Sequence, residues 1–199
     1  MTRSFAVTWD YRCPYGRIAH DHIVTGLRAG ADWDVTFLPF CLGQSHVEEG
    51  MPDVWKDPES DSGLLALQVA VAVRDEQPHA FVDLHHALYE FRHARNGNLR
   101  DRTALSAVLT GCGLDPVAVF AEVDSGRPLA VIEDEHTRYA RTHAVWGVPV
   151  FIVGDHAVFV RLLDRADGDE ALAQHTIERV LDLIDWPILN EFKHTSVPR

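Results

Sequence analysis

Residues 5–16 have the sequence FAVTWDYRCPYG, in which an apolar run is followed by a tight turn and a Cys-Pro pair. The run from Phe5 to Trp9 is rich in aromatic and β-branched residues, which is typical of a buried strand. Cys13-Pro14 predicts the start of a helix, because proline lacks an N–H that the first helical turn would leave unpaired. That helix has an apolar face made of Ile18, Ile23, Val24 and Leu27.

The segments on either side of the chain's middle predict the rest of a sheet. Gly30 ends the first helix, and residues 33–40 form a second predicted strand, so that the pair must be parallel with a right-handed crossover. Residues 150–153 and 157–160 are β-branched runs around the turn pair Gly154-Asp155, which predicts a hairpin. A final amphipathic helix is predicted over residues 169–184.

Residues 62–145 show helical periodicity instead, with roughly four or five short helices. The predicted breaks are Gln77-Pro78, Asn96-Gly97-Asn98, Gly111-Cys112-Gly113 and Gly126-Arg127-Pro128, and the predicted helix N-caps are Ser62, Asp101 and Asp115. We therefore expect a single domain over 1–199. Its sheet-bearing core covers about 1–60 and 146–186, an all-helical insertion covers about 62–145, and 187–199 form a C-terminal tail.

Composition limits the classes of partner. The chain has 199 residues, is 46% hydrophobic and carries a formal charge of -12 that is spread along its length. This charge argues against a nucleic acid or an anionic membrane as partner. The N-terminus does not resemble a secretory signal and no apolar stretch has membrane-spanning length, so we expect a cytoplasmic protein. The hydrophobic tail suggests a homodimer.

Cys13 is the candidate nucleophile. It follows a strand at a helix N-terminus, where unpaired backbone N–H groups and the helix dipole stabilise a thiolate, and Arg12 adds positive charge beside it. We therefore expect a lowered thiol pKa and a thiolate at neutral pH. A lone cysteine is also compatible with an inert apolar side chain. Cys41 and Cys112 are distant in sequence, so the three cysteines predict no disulfide framework.

The twelve histidines predict no metal site. Their nearest groupings are His20 with His22, His85 with His86, and His136 with His143, and none has the spacing of an established zinc motif. We expect these histidines to be exposed on helices. His143 or Trp146 is placed to line a pocket near Pro149.

Two motifs carry a family resemblance. Cys13-Pro14-Tyr15-Gly16 after a strand, together with Trp146-Gly147-Val148-Pro149 before the hairpin, resembles the active site of DsbA-type thioredoxin-fold proteins. The resemblance implies an α/β thioredoxin-like fold of the order β-α-β, helical insertion, β-β-α. It also implies a cis Val148–Pro149 bond against the reactive sulfur, with the Val148 backbone pairing with a substrate or a thiol. Tyr15 would shape the surroundings of the sulfur, and Arg12 and Trp146 would contact the thiol.

Within that family the chain looks closest to an actinobacterial branch that resembles mycothiol-dependent reductases. In that branch a W-x-D or F-D stretch precedes C-P-W-C, which residues 9–15, WDYRCPY, resemble. The chain there ends in a short aromatic, acidic and basic segment, which Asn190-Glu191-Phe192-Lys193 resembles. The resemblance implies no tightly bound cofactor and a low-molecular-weight thiol, mycothiol or glutathione, as co-substrate. Its partner would be a small disulfide or an electrophilic compound.

Gly16 departs from the family pattern, because it occupies the position of the second cysteine in C-x-x-C. Without a resolving cysteine the chemistry becomes monothiol: a mixed disulfide forms and a second small thiol resolves it. Cys41 is an alternative resolver, since parallel strands end at the same edge of a sheet. Two other functions stay open: an enzyme like kappa-class glutathione transferases or hydroxychromene carboxylate isomerases, and a binding module without redox activity.

Overall fold

The computed structural model describes residues 2–189 and contains one four-stranded sheet. The strands are β1 (Arg3–Trp9), β2 (Trp33–Pro39), β3 (Val150–Val153) and β4 (His156–Phe159), in the spatial order β2-β1-β3-β4. β1 pairs in parallel with β2, with Val7 opposite Phe37, and β3 runs antiparallel to both β1 and β4. This is the β-α-β and β-β-α order that the sequence predicts.

Helices connect and cover the sheet. They are α1 (Pro14–Arg28), α2 (Leu42–Ser45), α3 (Leu64–Glu76), α4 (Pro78–His93), α5 (Arg102–Gly111), α6 (Pro116–Asp124), α7 (Arg127–Thr142) and α8 (Glu170–Ile184). A 3₁₀ turn, Val54–Lys56, lies between α2 and α3. α1 forms the crossover between β1 and β2, and α8 packs against α1.

The helical segment between β2 and β3 follows the predicted breaks. Asp101 and Asp115 accept hydrogen bonds from the first turns of α5 and α6, as predicted. Ser62 is wrong as the cap of α3, because the first amides, those of Gly63 and Leu64, donate to the Asp61 carboxylate at 2.8 Å. The division into one domain with an insertion stays a prediction. Of the predicted tail, 187–199, the part from residue 190 onward lies outside the described residues, and this part includes Asn190–Lys193.

Between residues 2 and 189, the buried apolar side chains form two clusters. The larger one joins β1 to α3 and α4, with Trp9 and Tyr11 fully enclosed. The smaller cluster lies at the end of the sheet that carries Cys13 and consists of Cys13, Leu38, Phe40, Val145, Val148, Val150 and Ile152. No helix within residues 2–189 combines the length and apolarity needed to cross a bilayer.

Candidate active site around Cys13

The local backbone fixes the position of the Cys13 sulfur. Cys13 is the N-cap of α1 and Pro14 is its first residue. The Gly16 N–H donates to Sγ at 3.3 Å, and the thiol donates to the Val148 carbonyl, also at 3.3 Å. The Cys13 N–H donates to the Asp10 carbonyl at 3.0 Å, and the side chain is 9% exposed. The sulfur therefore lies between the first helical turn and the loop before β3.

That loop is held in place by Thr8 of β1. The Val148–Pro149 peptide bond is cis. The buried Thr8 hydroxyl donates to the Gly147 carbonyl at 3.2 Å and accepts from the Val150 N–H at 2.8 Å, so that it bonds the residues on both sides of the cis unit. The structure thus brings Cys13 and the Val148–Pro149 unit together, and Thr8, which sequence reasoning missed, positions that unit.

The expected thiolate at neutral pH is wrong. Burial raises the pKa of the Cys13 thiol above its ordinary value and the Asp10 carboxylate raises it further, while the Gly16 and Tyr15 N–H groups and Arg161 lower it. Burial exceeds the other effects because the sulfur is packed among apolar side chains, where the charged form loses its hydration. In the free protein Cys13 is predominantly a thiol.

Arg12 does not supply the charge that the sequence analysis assigned to it. Its guanidinium donates to the Asp10 carboxylate at 2.6 Å and to Asp61 at 2.8 Å, so that its charge is neutralised by two acidic groups. A Cβ at Gly63 would lie 2.5 Å from Arg12 Nε, and a Cβ at Gly43 would lie 1.8 Å from an Asp61 oxygen. The ion cluster therefore requires glycine at both places, and Arg12 braces the loop before Cys13.

Arg161 is the cation that faces the site. It follows β4, its guanidinium lies 3.9 Å from the centroid of the Tyr15 ring, and it donates a hydrogen bond to the Tyr15 hydroxyl. Trp146 is 67% exposed and its ring packs on Phe159 at 4.8 Å between centroids. Tyr15 and Phe159 both pack against the cluster that contains Cys13. These aromatic side chains and Arg161 form one rim around the sulfur.

Comparison with known protein families identifies the family of this chain. Residues 7–169 match the model of the DSBA-like thioredoxin domain. The chain belongs to this family. No curated protein matches the sequence. The thioredoxin-like α/β fold predicted from the sequence is confirmed.

Three solved structures illustrate the DSBA-like fold. A 2-hydroxychromene-2-carboxylate isomerase has a TM-score of 0.64 at 10% identity, over 90% of this chain and 96% of that one. Pseudomonas aeruginosa DsbA has a TM-score of 0.56 at 19% identity, over 90% and 84% of the two chains. A thioredoxin-like oxidoreductase from Silicibacter pomeroyi has a TM-score of 0.58 at 19% identity, over 90% of this chain and 86% of that one. At these identities the likeness establishes the fold alone.

Within this DSBA-like site, Gly16 is enclosed. A Cβ at position 16 would lie 2.9 Å from the Tyr89 hydroxyl oxygen and 3.3 Å from Cys13 Cβ. Tyr89, from α4, is 3% exposed, and its hydroxyl donates to the Asp10 carbonyl at 3.4 Å. The space beside the sulfur in which a resolving cysteine would stand is therefore bounded by a tyrosine of the helical segment.

The other two cysteines lie outside this constellation. All three cysteines are free. Cys41 is fully buried, belongs to the larger cluster and accepts a 3.6 Å contact from Arg12, and burial raises its pKa to about 11. Cys112 is the C-cap of α5 and so lies at the break predicted at Gly111-Cys112-Gly113. A fully buried thiol with so high a pKa is poorly suited to resolve a mixed disulfide at Cys13.

The expectation of exposed helix histidines is wrong for His20 and His85. The Tyr11 hydroxyl bonds His85 Nδ1 at 2.9 Å, His85 Nε2 bonds His20 Nδ1 at 2.9 Å, and His20 Nε2 bonds the Thr8 carbonyl at 3.0 Å. That carbonyl only accepts, so His20 Nε2 donates and His20 Nδ1 is an acceptor, since a neutral imidazole has one donor and one acceptor nitrogen. His85 Nε2 therefore donates to His20, and the Tyr11 hydroxyl donates to His85 Nδ1. Both imidazoles are neutral, and burial lowers the pKa of His20 to about 4.

Other histidines are also buried, His22 and His136 among them. His143 is half-buried, and its ring packs on Tyr139, which in turn contacts the Cys13 cluster. Among the described residues, no group of three or more histidine, cysteine or acidic side chains is placed to hold a metal ion. His136, on α7, stacks on Phe40, and His22, on α1, bonds the Asp164 carbonyl at 3.0 Å.

Proposed function

We propose that this protein is a thiol-dependent oxidoreductase that works through Cys13 alone. The supporting observation is the position of Sγ, in contact with the Gly16 N–H and the Val148 carbonyl, with glycine where the family's second cysteine stands. The co-substrate is a low-molecular-weight thiol, mycothiol or glutathione, in a reducing cytoplasmic environment. No tightly bound cofactor takes part.

The reaction has two exchanges. Cys13 loses its proton to solvent, and the thiolate attacks one sulfur of a small disulfide; the S–S bond breaks, one thiolate leaves, and a mixed disulfide forms on Cys13. A small thiolate then attacks the substrate sulfur of that mixed disulfide, which releases the Cys13 thiolate and a new small disulfide. The N–H groups of Gly16 and Tyr15 stabilise the Cys13 thiolate in both steps.

The test is mass spectrometry of the intact protein after incubation with glutathione disulfide or mycothiol disulfide. The expected result is one adduct per chain, which persists in a Cys41→Ala/Cys112→Ala variant and disappears in Cys13→Ser. Release of the adduct by the matching free thiol completes the cycle. An adduct that forms on Cys41, or a Cys13 that forms none, would refute the proposal.

A second candidate is an addition or isomerisation reaction without net redox change. Two observations favour it: the raised pKa of Cys13, which slows disulfide attack at neutral pH, and the fold shared with a 2-hydroxychromene-2-carboxylate isomerase over most of both chains. It predicts that a thiol and an electrophile are consumed or rearranged without formation of a disulfide. If Cys13 reacts with neither disulfides nor alkylating agents, the remaining interpretation is a binding module without redox activity.

A further inference from the structure

Among the residues that the structure describes, one cation in the rim around Cys13, Arg161, has no acidic partner. Within residues 2–189, no carboxylate forms an ion pair with Arg161, whereas the neighbouring Arg12, Arg17 and Arg165 all do. The Arg161 side chain is exposed, and Tyr15 occupies one face of its guanidinium through the ring and the hydroxyl. The aromatic contact fixes the position of the group without neutralising its charge.

This arrangement is unusual for a chain with a formal charge of -12, in which most arginines near the site have acidic partners. An unpaired guanidinium presents a planar set of donors that matches the geometry of a carboxylate. Tyr15, on which Arg161 stacks, is two residues from Cys13 and packs against the same cluster, so Arg161 lies on the side of the site that carries the sulfur. The exposed Trp146, packed on Phe159, adds an apolar surface at the same rim.

We propose that Arg161 is the specificity-determining residue of this site and selects thiols or disulfides that carry a carboxylate. This inference rests on the proposed function and names its substrate class. The carboxylate pairs with Arg161, the organic part lies against Trp146 and Phe159, and the sulfur reaches Cys13 beside the Val148 carbonyl. Glutathione carries carboxylates and mycothiol carries none, so the inference also ranks the two co-substrates.

The experiment compares two aromatic disulfides of similar reactivity: 5,5′-dithiobis(2-nitrobenzoate), which carries a carboxylate on each ring, and neutral 4,4′-dithiodipyridine. Their second-order rate constants with Cys13 are measured by stopped flow in the Cys41→Ala/Cys112→Ala background. The ratio of the two constants is the readout, because the thiolate fraction of Cys13 cancels in it. Arg161→Gln is expected to lower this ratio about fivefold, which is the upper end of the range for an exposed charge pair.

Three controls make the result specific. Arg179→Gln, on the exposed face of α8, removes the same charge and leaves the ratio unchanged. Arg161→Lys retains part of the preference, because lysine keeps the charge but loses the planar donors. Trp146→Ala lowers the rate constants of both disulfides to a similar degree and so leaves their ratio unchanged.

The outcomes separate this inference from the proposed function. A ratio in Arg161→Gln within a factor of about 1.5 of wild type, a difference of only about 0.2 kcal/mol, overturns the role of Arg161 while Cys13 chemistry stands. An equal fall in Arg179→Gln overturns it as well, because the effect would then be one of net charge. Failure of both disulfides to react with Cys13 refutes the proposed function itself.

Discussion

Replacing Gly16 by alanine tests whether Tyr89 closes the space beside the sulfur. The added Cβ would lie 2.9 Å from the Tyr89 hydroxyl oxygen, closer than such atoms normally approach. Tyr89 is buried on all sides and cannot swing away, so the contact has to be relieved by shifts in α1 or α4. We expect an overpacking cost of about 2 kcal/mol. The higher helix propensity of alanine offsets at most about 1 kcal/mol of it.

The double variant Gly16→Ala/Tyr89→Phe removes the obstructing oxygen. The nearest remaining atom is then Cys13 Cβ at 3.3 Å, which small adjustments can accommodate. Tyr89→Phe alone loses one long hydrogen bond, about 0.5 kcal/mol, and leaves no orphaned acceptor because the Asp10 carbonyl still accepts from the Cys13 N–H. In that background Gly16→Ala becomes stabilising. The two changes therefore couple by about 2 kcal/mol.

Urea unfolding of the four proteins measures this coupling. A destabilisation of about 1 kcal/mol in Gly16→Ala corresponds to a fall in Tm of roughly 3 °C for a chain of this size. Additive free energies, with coupling below about 0.5 kcal/mol, would show that Tyr89 does not bound the site. The same reasoning applies to Gly16→Cys, whose introduced thiol should form a disulfide with Cys13 more readily in the Tyr89→Phe background, as counted by free thiols after mild oxidation.

Three further predictions concern stability and ionisation. Thr8→Val should destabilise the protein by about 2 kcal/mol, because the buried Val150 N–H loses its acceptor, and should slow the reaction of Cys13 with disulfides, whereas Thr8→Ser should preserve both. Burial lowers the pKa of His136 to about 4, so the unfolded state binds its proton first as pH falls below about 6.5, and up to about 3 kcal/mol of stability is lost between pH 6.5 and 4. His136→Phe, which keeps the stacking on Phe40, should reduce the slope of that part of the pH profile in urea unfolding, to which His20 also contributes, and an unchanged slope would contradict the assignment. The rate of alkylation of Cys13 by iodoacetamide, in a Cys41→Ala/Cys112→Ala background, should rise with a midpoint above the free-thiol value of about 8.5, and a midpoint below neutrality would overturn the burial argument.

The features that the sequence predicts well are local ones. The strand before Cys13, the helix that Pro14 opens, and the hairpin after Pro149 follow from apolar periodicity and from the backbone preferences of proline and glycine. Each of these signals acts over a few residues. The motif positions of Cys13 and Pro149 therefore identify the centre of the site.

The features that the sequence misses depend on contacts between distant segments. Tyr89 lies in the helical segment and Arg161 beyond β4, where no motif marks them, and both become part of the site only through the fold. Arg12 sits next to Cys13 in sequence, yet its charge is neutralised by Asp10, two residues before it, together with Asp61, 49 residues further along. The direction of the Cys13 pKa shift likewise depends on burial by side chains from other elements, which a linear motif does not contain.

A raised pKa at Cys13 is compatible with monothiol exchange. Each unit of increase lowers the thiolate fraction at neutral pH about tenfold, but the more basic thiolate is about threefold more nucleophilic, so the rate of attack falls only about threefold. The same basicity makes Cys13 a poorer leaving group, and a mixed disulfide on it therefore persists until an external thiol arrives. A dithiol enzyme releases its partner by internal attack. Gly16 has no thiol for such an attack, so under the proposed function release would depend on an external thiol. Under the proposed function, Arg161 would select the thiol or disulfide that enters the site, and the basicity of Cys13 would set how long the mixed disulfide lasts.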